Sequence, residues 1–274
     1  MEEVRSTFAL EGFTLAQMLE LGSSLREIGK GAKSMQEAAD RIVRHLYESL
    51  ISGETGQRAC ALVRFFKTHA FGQLDEDLRQ FARDRLAGAA ETPAMKCLVL
   101  LATAGDMPEW NSTTRSKGHR ATPLPNEEAI KNSPMISQLL SEMGLSVNAL
   151  VRGNSALMLD TEKTNFNVFH VPEAQGNPYV PAQDFVTAFG VKSALGFGGL
   201  LPSRDVFAVI LFSKTPIPRA TAESFKTLGL MIRLAISPFD PERVFAQLHD
   251  GMAEGRALAG IKRNTEEPRR RSSG

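Results

Sequence analysis

The chain is poor in cysteine, tryptophan and tyrosine, has no excess of either charge, and lacks any long apolar run. Its two cysteines, Cys60 and Cys97, are too few for a disulfide framework or a four-cysteine zinc site. No HExxH or CxxC spacing occurs. The five histidines, His45, His69, His119, His170 and His249, include no pair four residues apart, which argues against a zinc centre. Lysine and arginine number 32 against 31 acidic residues, a net charge of +1, so the basic excess expected of a nucleic-acid or polyphosphate binder is missing. The longest uncharged stretch, Ser193 to Ser203, falls far short of the ~20 apolar residues of a membrane helix. The opening MEEVRST has no apolar core of a secretory signal. GxSxG, kinase signatures and diagnostically spaced carboxylate pairs are absent, so the expectation is a soluble, cytoplasmic protein that is not an enzyme.

What is present is an ordinary globular composition, 42% hydrophobic and 23% charged, over 274 residues. That length suits about two domains, or one large domain with extensions. Thr14 and Gln17 have the spacing of a capping box, and Phe13 and Met18 that of a hydrophobic staple. Met18, Leu21, Leu25 and Ile28 then follow a 3,4,3 stripe, which either seals a dimer or packs on the domain itself. Ser34 with Glu37 opens a second helix, whose apolar face is Met35, Ala38, Ala39, Ile42, Leu46 and Leu50. CALVRFFKTH (60–69) reads as a strand, Asp75 as a helix N-cap, and MKCLVLLATAG (95–105) as a buried central strand.

About twenty loop-like residues follow Asp106, and then Ser133 and Pro134 open a helix that Gly144 ends. Short strands are expected at Ala156–Leu159 and Phe166–Val171, with GNPYVP (176–181) as a loop. Val191–Leu201 and Val206–Phe212 flank a turn and read as a hairpin. A helix after Pro218 carries Phe225, Leu228, Ile232 and Ala235 on one face. A further helix is expected over Glu242–Ala259, before a disordered tail. Helices at both ends of a strand-rich middle give an α+β fold with an antiparallel sheet core and flanking helices.

This order resembles a GAF domain, the small-molecule-sensing module of bacterial signalling proteins, with PAS domains close to it in pattern. The opening helix, the strands CALVRFFKTH and MKCLVLLATAG, and above all VKSALGFGGLLPSRDVFAVILFSKTPIPRATAESFKTLGLMIRLAI carry the resemblance. The last block looks like a hairpin, a short turn and a helix returning to the sheet. The implied organisation is an N-terminal helix (1–33), a GAF-like domain (34–237) and a C-terminal helix with tail (238–274). The implied role is sensory: a ligand-binding module of a two-component or similar system, dimeric, acting on an output domain or kinase. A ligand-free interaction module is the alternative, followed by a thiol-dependent sulfoxide reductase using Cys60 or Cys97. The Asn-Lys-Phe-Asp-Glu pattern of cyclic-nucleotide-binding members is missing, as is a cysteine near the usual bilin attachment region.

Trp110, His119, His170 and Tyr179 are the candidate ligand-binding residues, placed by that resemblance and by side-chain chemistry. Either His170 or His119 has the imidazole needed to ligate a haem. Gly196, Gly198 and Gly199 lack the third glycine of a dinucleotide fingerprint and precede a strand, so they are read as allowing close backbone approach. Cys97, among apolar neighbours in mid-strand, is expected to be inert.

Overall fold

The computed structural model describes residues 6–86, 88–152 and 168–246. A two-residue strand, β1 (Phe8–Ala9), leads to α1 (Leu15–Ile28) and α2 (Met35–Ser49). Both expected N-terminal caps are made. The Thr14 hydroxyl accepts from Gln17 N–H while the Gln17 side chain accepts from Thr14 N–H, and the Ser34 hydroxyl accepts from Glu37 N–H. The Glu37 carboxylate reaches one residue further back than a capping box requires, accepting from Lys33 N–H at 2.8 Å.

β2 (Leu50–Ile51) pairs in parallel with β1. Then come β3 (Cys60–Ala70), α3 (Glu76–Arg83), β4 (Lys96–Gly105), β5 (Ala121–Leu124), α4 (Glu127–Lys131), α5 (Pro134–Glu142) and α6 (Val147–Arg152). β6 (Phe169–Val171), α7 (Gln183–Ala188), β7 (Ser193–Leu200), β8 (Val206–Ser213) and α8 (Arg219–Ile236) complete the described elements. Six strands form one antiparallel sheet in the order β5-β4-β3-β8-β7-β6. The α+β class expected from the sequence is therefore observed. So is the GAF-like closing block: β7 and β8 form the hairpin, a short turn follows, and α8 returns onto the sheet.

Period-two alternation along the strands gives the sheet two different faces. Val63, Phe65, Val99, Val209, Leu211 and Phe197 look toward α1, α2 and α8 and share one core with them. Leu62, Phe66, Leu98, Leu100, Ala208 and Ile210 look the other way, under Trp110, α5, α6 and α7. β7 separates the two layers, and its glycines are there for packing. A Cβ on Gly196 would stand 2.9 Å from Leu139 Cδ1 of α5, and one on Gly198 only 2.0 Å from the Phe207 carbonyl oxygen of the neighbouring β8. α5 thus closes directly on β7.

Three expectations change. β5 lies inside the segment read as loop; its Pro123 is tolerated because β5 is the sheet's edge strand, paired only with β4. The short helices α4, α6 and α7 were not foreseen. The helix expected at Glu242–Ala259 is not helical over Glu242–Ala246, which forms turns; its remainder lies outside the described residues, as does Ala156–Leu159. The reason is hydrogen bonding. Arg243 and Val244 carbonyls accept from Met35 and Gln36 N–H at 2.8 and 2.9 Å, satisfying donors in the first turn of α2 that no helical carbonyl can reach.

Candidate functional site

The centre of the second sheet face is a single charged side chain. β3 lies between β4 and β8, and Leu62, Arg64 and Phe66 project from it at every second position. Arg64 is in register with Thr103 on β4 and Ile210 on β8. Leu62 faces Gly105 and Phe212, and Phe66 faces Leu100 and Ala208. A guanidinium therefore stands in a largely apolar field, with the Thr103 hydroxyl as its polar cross-strand neighbour.

Arg64 is half-buried, but its Nε is fully buried and hydrogen-bonds to nothing. Thr103 is 2% exposed, and its hydroxyl is likewise buried without a partner; the other such atoms among the described residues, Ser49 Oγ, Arg79 Nε and Ser116 Oγ, belong to other elements. No carboxylate among the described residues pairs with Arg64, and burial pushes its pKa down to about 10. The adjacent cations are already engaged. Arg85 donates to Lys117 O at 2.7 Å and stacks on Phe81, and Arg120 pairs with Asp77. His119, at the rim, has its pKa lowered by burial of part of its ring, then by repulsion from Arg64 and Arg85.

The four candidate ligand residues separate. Trp110 lies on this face, its ring 4.5 Å from Phe189 and 5.5 Å from Phe185, and it closes over Gly105, where a Cβ would be 2.9 Å from Trp110 Cε3. His119 is close enough to Arg64 to feel its charge. Tyr179 stands at the edge, 38% exposed, its ring edge-on to Phe169 at 6.3 Å. His170 is turned away: it alternates with Phe169 and Val171, and its Nε2–H donates to Ile217 O at 2.9 Å. That nitrogen would have to leave the carbonyl before it could ligate a haem iron. Arg64 and Thr103 were not singled out from the sequence, although a lone arginine within CALVRFFKTH marks the spot.

The stripe Met18, Leu21, Leu25 and Ile28 is not offered to a partner. Met18, Leu21 and Leu25 are buried in the chain's own core, with Ile28 half-buried against it, because α1 packs alongside α8. The exposed large apolar side chains of these two helices are Leu15 and Leu19 on α1, and Leu230 and Leu234 on α8.

A second charged cluster is fully compensated. Lys67 Nζ donates to Asp205 Oδ2 at 2.7 Å and to Thr68 O at 2.9 Å, and lies 3.9 Å from Asp240 Oδ1. Lys96 Nζ reaches the other Asp205 oxygen at 2.8 Å. Ser203 donates its N–H and its hydroxyl to the two Asp240 oxygens. Two cations meet two carboxylates here, and the arrangement ties the hairpin turn and the segment after α8 to β3. The cysteines lie apart on the first face; burial pushes both thiols up to about 12, so neither forms a thiolate near neutral pH. Among the described residues no cluster of histidine, cysteine or carboxylate side chains has the makings of a metal site. Clefts of about 520 and 340 Å³ open elsewhere. In the larger, Tyr47 donates to Asp106, Arg44 pairs with Asp40, and Arg58 lies over the Tyr47 ring.

No protein-family model matches the sequence, and no curated protein does. Among solved structures, the chain is similar to a free methionine-R-sulfoxide reductase from Neisseria meningitidis in complex with its substrate, at 10% identity and a TM-score of 0.46. That match covers 86% of this chain and 96% of the other. It is also similar to the GAF domain of a phosphoenolpyruvate-protein phosphotransferase from Coxiella burnetii, at 11% identity and a TM-score of 0.44, covering 89% and 96%. A bacteriophytochrome from the photosynthetic bacterium R. palustris matches at 8% identity and a TM-score of 0.40, covering 92% of this chain and 42% of that one.

Proposed function

We propose that this chain is a sensory input module that binds a small molecule on the second sheet face and reports its occupancy through α8 and α1. The observation that carries the reading is the difference between the two faces. The first is a closed core of terminal helices. The second is covered by short helices and a long loop around Arg64, whose buried Nε has no partner among the described residues.

β7 is the common wall. Gly196 admits α5 on one side, while on the other the Phe197 ring lies 5.1 Å from Phe225 of α8. α8 in turn meets α1 at Gly22, where an added Cβ would be 3.3 Å from Met231. A ligand that moves α5 therefore loads α8 through contacts with no slack. It shifts the helices only by as much as it prefers one arrangement over another. The output is a separate or fused partner such as a kinase, and the active form is a cytoplasmic homodimer meeting through Leu15, Leu19, Leu230 and Leu234. No nucleic acid takes part.

Those four exposed leucines also favour a second reading, a ligand-free interaction module. Thiol chemistry is set aside because both sulfurs are buried and protonated. Hydrogen-exchange mass spectrometry of the full chain separates the two readings. The probes are acetate, glutamate, acetamide, adenosine and haemin. The sensory reading requires that at least one probe alter protection in α5 and α8 together. Unchanged exchange with every probe rejects it and leaves the interaction module.

A further inference from the structure

On the reading that the second face is a ligand site, we infer that the group recognised there is a carboxylate, and that Arg64 with Thr103 is its receptor. Both residues stand at the centre of that face, with buried polar atoms and no partner.

The contrast with Lys67 makes the argument. Lys67 and Arg64 are three residues apart on β3 and point to opposite faces. The fold supplies Lys67 with two carboxylates and leaves Arg64 with none. A buried N–H without a partner, on a half-buried guanidinium without a counter-charge, is costly, and an incoming acceptor would relieve that cost. The unsatisfied Nε–H belongs to the side-on edge of the guanidinium, whose parallel N–H groups match the two oxygens of a carboxylate. The Thr103 hydroxyl, directly across the strand pair, adds a donor to the same place.

Charge selects among oxyanions. Among the described residues Arg64 is the cation at the centre of this face without a partner; Arg120 is paired with Asp77, Arg85 donates to the Lys117 carbonyl at the rim, and His119 is held toward its neutral form. A monoanion matches the single charge of Arg64, whereas a phosphate dianion brings a second negative charge that Arg64 does not match. Trp110, Leu62 and Phe212 offer the ligand's carbon skeleton an apolar bed.

The test follows the Arg64 Nε–H resonance by NMR in the full chain during titration with acetate and pyruvate, with acetamide, sodium chloride and inorganic phosphate as comparisons. The expected result is a saturable millimolar shift with a carboxylate, none with acetamide or chloride, and weaker binding of phosphate. Arg64→Gln should weaken the carboxylate at least about tenfold. Arg64→Lys should also weaken it, since an ammonium keeps the charge but loses the side-on edge. The wild-type titration decides the matter even where a variant folds poorly. No saturable shift with either carboxylate, an equal shift with chloride, or tighter binding of phosphate overturns the inference. If acetamide, adenosine or haemin binds this face while the Arg64 resonance stays still, the carboxylate inference falls and the sensory reading stands. If carboxylate binds and no probe changes exchange in α5 and α8 together, the receptor stands and the sensory reading falls.

Discussion

Lys67 Nζ and Asp205 Oδ2 meet at 2.7 Å across 138 residues of sequence, both side chains out of solvent. Burial alone would raise the Asp205 pKa, but Lys67 and Lys96 hold it below the usual carboxylate range. This contact fixes the β7–β8 turn to the far end of β3, and through Ser203 and Asp240 it anchors the segment after α8. Removing one partner of a buried pair strands the other, at about 3–5 kcal/mol. Asp205→Asn should therefore lower the urea-unfolding free energy by that order, and Lys67→Met in the same background should not restore it, because Asp240 then loses its cation as well. A loss below about 1 kcal/mol in the single variant would show that the pair does not hold the turn.

His69 gives the fold a directional pH dependence. Its ring is buried against Phe245, and burial first, then repulsion from Lys67, pushes its pKa down to about 4. Lys96 adds to the repulsion, while Asp205 and Asp240 oppose it. The unfolded chain, titrating near 6.5, then binds more protons than the folded chain between those values. Stability is fully present above about 6.5 and is lost as pH falls toward about 4, by as much as about 3 kcal/mol. His119 shifts in the same direction and contributes less, being exposed at the rim. Urea midpoints at neutral and mildly acidic pH measure the slope. His69→Gln should flatten it, and an unchanged slope would assign it to other groups.

The terminal helices separate core from contact surface. Leu21→Ala or Leu25→Ala opens a cavity in a fully buried position and should cost about 2–5 kcal/mol. Leu19→Glu with Leu234→Lys changes exposed positions and should leave stability within about 0.5 kcal/mol. Light scattering after size exclusion should show the surface double variant as a monomer and wild type as a dimer. A dimer that survives both surface changes places the interface elsewhere.

Much of this fold is legible in local sequence chemistry. Thr14, Ser34 and Asp75 each cap the helix they announce, and the alternating and continuous apolar runs become β3, β4, β7 and β8. What escaped reading is non-local. β5 exists only because its partner β4 lies beside it, and α4, α6 and α7 are too short to show a period. The stripe on α1 has the spacing of a dimer seam, yet spacing cannot say whether the surface across from it belongs to a second copy or to α8. His170 and Trp110 looked equally suited to a pocket; strand alternation turns His170 away from the second face, while the turn after β4 lays Trp110 onto it. Arg64 was visible as a charge in a strand, but its want of a counter-charge becomes evident only when the neighbouring strands are in place.

The central claim is that the second sheet face binds a small molecule and that β7 passes the effect to α8. The most direct measurement is methyl NMR of the full chain, resolving Leu139, Met143 and Ile210 on the second face, Leu228 on α8 and Ile42 on α2. The titrants are acetate, glutamate, acetamide, adenosine and haemin. The account predicts that at least one probe shifts the three second-face methyls saturably, that Leu228 moves with them, and that Ile42 does not. Second-face methyls untouched by every probe, or shifted with Leu228 unmoved, would contradict it.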